Sequence, residues 1–151
     1  MKGSSDGSRR PGSSSEDTSP RNIAGVASPR IPDHELLRLI GRGNYGEVWL
    51  ARNIMGAWRA VKIVYRHTFE NDRPFEREFV GIQRYEPISR SRDGLVQVLH
   101  VGRVESSGCF FYVMELADDV ATGRVIGPDN YKTKTIRSEI TAQGATTTVC
   151  W

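Results

Sequence analysis

The feature that most restricts the fold of this chain is a glycine-rich stretch, LIGRGNYGEVWLARN, at residues 39–53. Its glycines have the spacing G-x-G-x-x-G, and they are Gly41, Gly43 and Gly46. Glycine has no side chain to obstruct an approaching group, so the backbone N–H groups of such a loop can come close to phosphate oxygens. The stretch therefore predicts a loop that can lie against phosphates, and its flanking residues decide which kind of loop it is.

The residues after the last glycine predict a strand rather than a helix. The run EVWLARN is β-branched, aromatic and apolar, and no helix-capping residue precedes it. The residues NIMG then predict a turn, and AWRAVKIVY predicts a further strand. Dinucleotide-binding folds place a helix after the last glycine, whereas protein kinases place a strand there. The predicted strand argues against the dinucleotide fold. The P-loop is excluded, because no Lys-Ser or Lys-Thr pair follows the glycines.

A change of hydrophobic period after this third strand predicts one helix. Phe75, Phe79 and Ile82 recur at i, i+4 and i+7, which places them on one helical face. Capping and helix-breaking residues mark its predicted ends: Asn71 or Asp72 with Pro74 at the start, and Pro87 near the end.

The runs GLVQVLHVGRVE and CFFYVMELA, separated by the turn SSG, predict a closing hairpin. The predicted fold is therefore α+β, with a five-stranded antiparallel sheet, the first strand in IPDHELLRLIG, and one helix inserted after the third strand. Residues 1–30 contain eight Ser, four Gly and three Pro, which predicts a disordered tail. The folded domain is expected at 31–119, and residues 120–151 are expected to form a loop and a short helix in TIRSEITAQ.

The overall composition argues against several other functions. A net charge of +3 with scattered basic residues gives no basis for binding nucleic acid or an anionic membrane. Cys109 and Cys150 lie far apart and the three histidines are isolated, so we expect neither a metal site nor a disulfide framework. No apolar run approaches the ~20 residues of a membrane helix, and the first twenty residues lack a signal-peptide core. We expect a soluble, cytoplasmic chain.

Four motifs, in order, resemble the N-terminal lobe of eukaryotic-type Ser/Thr protein kinases, most of all the bacterial members. GRGNYGEV is similar to the kinase glycine loop G-x-G-x-x-G-x-V, and RAVKIV to the V-A-I-K strand. FEREF resembles the helix that carries the partner glutamate, and YVMELA the segment that joins the two kinase lobes. The resemblance spans roughly residues 34–145. It implies a kinase-like lobe that binds ATP together with Mg²⁺.

The resemblance implies catalytic roles for Lys62 and Glu78. Lys62 would reach the α- and β-phosphates of ATP, and Glu78 would hold it in place as an ion pair. Ala60 and Lys62 are two residues apart on one strand, so their side chains point to the same side. By the resemblance, the small Ala60 would admit the adenine and Val48 would close over its face.

In the joining segment, the resemblance implies recognition by backbone groups. Met114 would lie at the back of the adenine pocket, while the Glu115 carbonyl and the Ala117 N–H would bind the adenine edge. Asp118 or Asp119 would reach the ribose. The implied ATP-binding residues are Ile40, Gly41, Gly43, Gly46, Val48, Ala60, Lys62, Met114, Glu115 and Ala117.

Phosphoryl transfer in this family also needs the motifs H-R-D-x-x-x-x-N and D-F-G, which orient the hydroxyl and hold Mg²⁺. Neither motif occurs in these 151 residues. We therefore expect an ATP-binding lobe truncated before the helical lobe and inactive by itself, from a truncated or frameshifted kinase reading frame. The alternatives are an interaction module that binds a protein through an exposed apolar underside, around the glutamate helix and YVMELA, and a nucleotide sensor without catalysis.

Overall fold

The computed structural model describes residues 27–134. Most of the predicted disordered tail, the short helix predicted in TIRSEITAQ, and Cys150 lie outside the described residues.

One antiparallel sheet and one long helix make up most of the described chain. The strands are β1 (His34–Arg42), β2 (Gly46–Asn53), β3 (Trp58–Tyr65), β4 (Val98–Val104) and β5 (Cys109–Glu115), and the helix α1 (Asp72–Ser91) lies between β3 and β4 in sequence. Their order across the sheet is β1-β2-β3-β5-β4, and all neighbours are antiparallel. The predicted α+β class, the five antiparallel strands and the helix inserted after the third strand are confirmed.

The two faces of the sheet bury different clusters. Along β3, Val61 and Ile63 belong to one buried cluster, which we call the outer face and which includes Trp49 of β2. Val64 belongs to the other cluster, which packs against Phe75 of α1, and we call this side the helix face. Because side chains alternate along a strand, β3 supplies apolar residues to both faces.

The helix α1 is longer than the sequence predicts. Asn71, one of the two residues predicted to cap the helix, is its N-cap. Pro87 does not end the helix, which continues to Ser91. A proline costs a helix one backbone hydrogen bond, but the residues after Pro87 make hydrogen bonds to the sheet. The Ser89 hydroxyl accepts a hydrogen bond from the Val98 N–H at 3.0 Å. The side chain of Arg90 also donates to the backbone of β4, at the Leu99 carbonyl.

Candidate functional site

The pairing of four strands brings several of the predicted site residues onto one face of the sheet. Gly41 of β1 pairs with Val48 of β2, Val48 pairs with Lys62 of β3, and Lys62 pairs with Tyr112 of β5. Directly opposed residues of antiparallel strands project to the same side of the sheet. Lys62 and Val64 are two residues apart on β3, so their side chains also lie on the same side. This row therefore lies on the helix face, where Tyr112 packs in the same cluster as Phe75.

A second row runs beside the first on the same face. Ala60 lies two residues before Lys62 on β3, so both side chains project to the helix face. Ala60 pairs with Leu50 of β2 on one side and with Met114 of β5 on the other. Ala60 is buried, whereas Met114 is partly exposed. The predicted adenine-contacting residues Val48, Ala60 and Met114 thus form a continuous patch next to Lys62.

The side chains of Lys62 and Glu78 meet on the helix face. The Lys62 Nζ atom is 3.8 Å from Glu78 Oε1, and about a third of each side chain is exposed, 31% and 32% respectively. The same Nζ atom lies 5.6 Å from the ring centroid of Tyr112. A partly exposed ion pair contributes only ~0–1 kcal/mol to stability. The pair is therefore more significant for where it holds the ammonium group than for what it adds to the fold.

The position of Glu78 depends on how α1 is attached to the sheet. Phe75 and Phe79 both pack on Phe110 of β5, with ring centroids 5.1 and 5.2 Å apart. Arg103 of β4 donates two hydrogen bonds to the Glu76 carboxylate at 2.9 and 2.6 Å, and its guanidinium lies 3.9 Å from the Phe79 ring centroid. The hydrogen bonds from Arg103 lower the pKa of Glu76. Together these contacts keep Glu78 directed toward Lys62.

The three glycine positions of the loop differ in whether the surrounding structure leaves room for a side chain. A Cβ atom on Gly46 would lie 2.0 Å from the Ile63 carbonyl oxygen, so β3 requires glycine there whether or not a ligand binds. A Cβ atom on Gly41 would be in ordinary contact with Val48, and one on Gly43 would have no neighbour within 4 Å. The internal packing of the described chain therefore requires Gly46, and it does not explain Gly43.

Tyr45 attaches the glycine loop to the segment after β3. Its carbonyl accepts hydrogen bonds from the Tyr65 N–H at 3.1 Å and from the Thr68 hydroxyl at 3.2 Å. Its ring stacks on Phe69, with centroids 4.5 Å apart and planes 11° apart, and Phe69 in turn meets the edge of Phe75 at 5.7 Å. Sequence reasoning missed this connection, although the aromatic residue within the loop is a visible signal.

A buried carboxylate lies under the loop on the outer face. Glu47 is fully buried, and its Oε2 accepts hydrogen bonds from Trp49 Nε1 at 3.2 Å and from the Tyr65 hydroxyl at 3.1 Å. Its Oε1 lies 3.6 Å from Nε of Arg42, at the other end of the loop. The bond from Tyr65 holds the Glu47 end of the loop to β3, and the ion pair with the exposed Arg42 links Glu47 to the other end of the loop. The signal in the sequence was that Glu47 and Trp49 are two residues apart on a predicted strand, so an acid shares a face with a large aromatic residue.

The joining segment and the residues after it lie next to the candidate site, at the end of β5. Glu115 ends β5, and the carbonyl of Ala117 accepts a hydrogen bond from the Tyr131 hydroxyl at 2.9 Å. Asp119 is buried and accepts hydrogen bonds from protein donors, the shortest from the Lys132 N–H at 2.6 Å. That hydrogen bond and others from backbone N–H groups lower the pKa of Asp119 to about 2. Its carboxylate is thereby committed to the protein, and the exposed Asp118 is the acid of this pair that faces solvent.

Ile40 is the remaining predicted site residue, and it lies in β1 where the pairing with β2 shifts register, between Leu39 and Gly41. Among residues 27–134, no group of three or more His, Cys, Asp or Glu side chains is arranged to hold a metal ion. No helix in the same residues is both long and apolar enough to span a membrane.

Comparison of the chain with models of protein families finds no match, and comparison with curated proteins finds no significantly similar relative. The resemblance to protein kinases therefore rests on the four motifs and on the arrangement of the residues that carry them.

Proposed function

We propose that this domain binds ATP as the N-terminal lobe of a Ser/Thr protein kinase. One observation carries the proposal: Lys62 and Glu78 form an ion pair on the sheet face that also presents Val48 and Ala60. A triphosphate is strongly anionic, and an ammonium group held in one position binds it with less loss of side-chain freedom than a mobile lysine. Lys62 remains about one-third exposed, so its ammonium is open to a ligand.

The other contacts proposed for ATP follow from the same face. The adenine would lie on the patch between Val48 and Met114, where the small side chain of Ala60 leaves room for a ring. The backbone of the glycine loop would cover the phosphates, and Gly43 is exposed with no protein neighbour at its Cβ position. The Glu115 carbonyl and the Ala117 N–H would contact the adenine edge, and Ile40 would border the same site from β1.

Mg²⁺, which the resemblance implies together with ATP, does not fit the described residues, because they contain no cluster of ligands for it. Every contact proposed here is therefore made to the nucleotide itself. We also propose that the 151-residue chain binds ATP without transferring phosphate, since neither H-R-D nor D-F-G occurs in it. An assay with ATP, Mg²⁺ and a generic Ser/Thr substrate tests this, and turnover above that of Lys62→Met protein would contradict it.

Titration of the purified chain with ATP tests the binding proposal directly. We expect saturable binding in the micromolar to millimolar range for the wild type. We expect roughly 10- to 150-fold weaker binding for Lys62→Met, because loss of a charge-assisted contact costs ~1.5–3 kcal/mol. Arg84→Met is the control, since it removes one positive charge from an exposed side chain of α1 outside the proposed site. Absence of saturable ATP binding, or equal losses in the two variants, would overturn the proposal.

A specific observation also favours the interaction module as a second candidate. Val80 and Ile88 of α1 are 39% and 48% exposed, and Leu95 and Val96 after the helix are 39% and 54% exposed. Exposed apolar surface of this kind is typical of protein-binding surfaces where it is contiguous. Size-exclusion chromatography with light scattering would detect a defined complex, and a Val80→Lys variant should abolish it. A monomer at all concentrations and no partner-induced shift would count against this candidate.

A further inference from the structure

The residues after the joining segment, 118–134, form a compact unit that we call the strap. Asp119 organises it by accepting hydrogen bonds from the Ala121 and Thr122 N–H groups at 2.8 and 2.9 Å, from the Thr122 hydroxyl at 3.1 Å, and from the Lys132 N–H at 2.6 Å. The Val120 N–H also donates to the Lys132 carbonyl at 2.9 Å. These bonds bring the end of the strap back beside its beginning.

Two side chains attach the strap to the proposed nucleotide site. The Tyr131 ring is buried, with 3% of the residue exposed, and its hydroxyl donates to the Ala117 carbonyl at 2.9 Å. Burial raises the pKa of Tyr131, so the hydroxyl keeps its proton and remains a donor. Arg38 of β1 donates from Nη1 to the Asp129 carbonyl at 3.1 Å and from Nη2 to the Tyr131 carbonyl. The strap therefore links β1 to the joining segment.

We propose that Tyr131 is a positioning residue for recognition of the adenine ring. Ala117 lies two residues beyond the end of β5, so sheet hydrogen bonds do not fix its backbone. The Tyr131 hydroxyl holds the carbonyl of Ala117, which orders the backbone that would present the Ala117 N–H to the adenine edge. Arg38 holds the strap to the strand that carries Ile40 and Gly41, so the width of the site at this edge is set as well.

The physical benefit is pre-organisation. A backbone donor that must be ordered when a ligand binds loses part of the binding free energy, whereas one that is already held does not. The bond between Tyr131 and Ala117 lies at the adenine end of the site and not at the end that would hold the phosphates, where Lys62 and the glycine loop lie. Tyr131 should therefore affect recognition of the base and leave recognition of the phosphates unchanged. This inference rests on the proposed ATP site.

The test compares two ligands, ATP and inorganic tripolyphosphate, by titration of the full chain at one ionic strength. Tripolyphosphate contains the phosphates without the base. We expect Tyr131→Phe to weaken ATP binding about fivefold, as for loss of one hydrogen bond, and to leave tripolyphosphate binding unchanged. Tyr85→Phe is the matched control, since the Tyr85 hydroxyl of α1 also donates to a backbone carbonyl, that of Val96 at 3.3 Å, and not to Ala117.

The ratio of the two affinities separates the possible outcomes. If a variant is partly unfolded, both apparent affinities fall by the same factor and the ratio does not change. A wild type that prefers tripolyphosphate, or binds neither ligand, overturns the proposed ATP site and this inference with it. A wild type that prefers ATP, with an unchanged ratio in Tyr131→Phe, overturns the inference alone. An equal change of the ratio in Tyr85→Phe also overturns it, and a change confined to Tyr131→Phe supports it.

Discussion

Replacement of Gly46 by alanine should disrupt the base of the glycine loop in the absence of any ligand. The added Cβ atom would lie 2.0 Å from the Ile63 carbonyl oxygen, 3.0 Å from the Ile63 carbonyl carbon and 3.1 Å from the Val64 Cα atom. All three are backbone atoms of β3, so no side-chain rotation can relieve the overlap. Since real Cβ atoms essentially never approach closer than 3.0 Å, the start of β2 has to move away from β3 by about 1 Å.

The energetic cost follows from that displacement. Forcing an extra methyl group into a packed site typically costs ~1–3 kcal/mol. A 1 Å separation of the strands also lengthens a backbone hydrogen bond of ~2.9 Å beyond its useful range, and a buried unpaired backbone group costs a further ~1–3 kcal/mol. The sum, about 4 kcal/mol, is a large part of the ~5–15 kcal/mol by which domains of this size are stable. It corresponds to a fall in Tm of about 15 °C or more.

Urea and thermal unfolding, followed by circular dichroism, measure the effect. Gly43→Ala is the matched control, because a Cβ atom at Gly43 meets nothing within 4 Å. Its free energy of unfolding should lie within about 1 kcal/mol of the wild-type value. The same control should bind ATP less tightly if the loop covers phosphates. Unfolding of Gly46→Ala at the same urea concentration as Gly43→Ala would refute the proposed close approach of the loop to β3.

Three further predictions concern ionisable groups. Backbone donors lower the pKa of Asp119 to about 2 from an ordinary 3.8, so its contribution to stability is complete above about pH 4 and is lost as the pH falls through 2. The protection of the strap amides against hydrogen exchange should fall over the same pH range, and Asp119→Asn should remove this pH dependence. Burial raises the pKa of Cys109 to about 11, so in a Cys150→Ser variant we expect a thiol reagent at pH 8 to react about 100-fold more slowly with folded than with urea-unfolded protein, whereas equal rates would show an accessible thiol. Arg103→Gln should raise the pKa of Glu76 toward 4.5, measured by NMR titration, and an unchanged value would mean that their hydrogen bonds do not form in solution.

The elements that depend on local pattern were predictable from the sequence. The strand-type runs and the apolar spacing of Phe75, Phe79 and Ile82 predict the elements, and the structure confirms the antiparallel sheet and the inserted helix. Pro87 was misleading because the helix-breaking effect of proline is local, whereas the bonds that extend α1 to Ser91 come from β4, several residues further on.

The arrangement of the candidate site was predictable only in part. The motifs named Lys62 and Glu78, but the 3.8 Å between them depends on the packing of α1 on Phe110, which no local pattern specifies. The bond from Arg38 to Tyr131 joins residues 93 positions apart, so neither residue alone signals it. The clustering of donors around Asp119 is likewise a property of the folded strap.

The chain of ring contacts from Tyr45 through Phe69 to Phe75 has a mechanical consequence. Packed rings transmit displacement because little free volume between them absorbs it. We therefore expect a lift of the glycine loop to be passed through Phe69 to the first turn of α1, where Phe75 lies three residues before Glu78, as long as Tyr45 stays stacked on Phe69. A ligand that orders the loop would then also stabilise Glu78 beside Lys62.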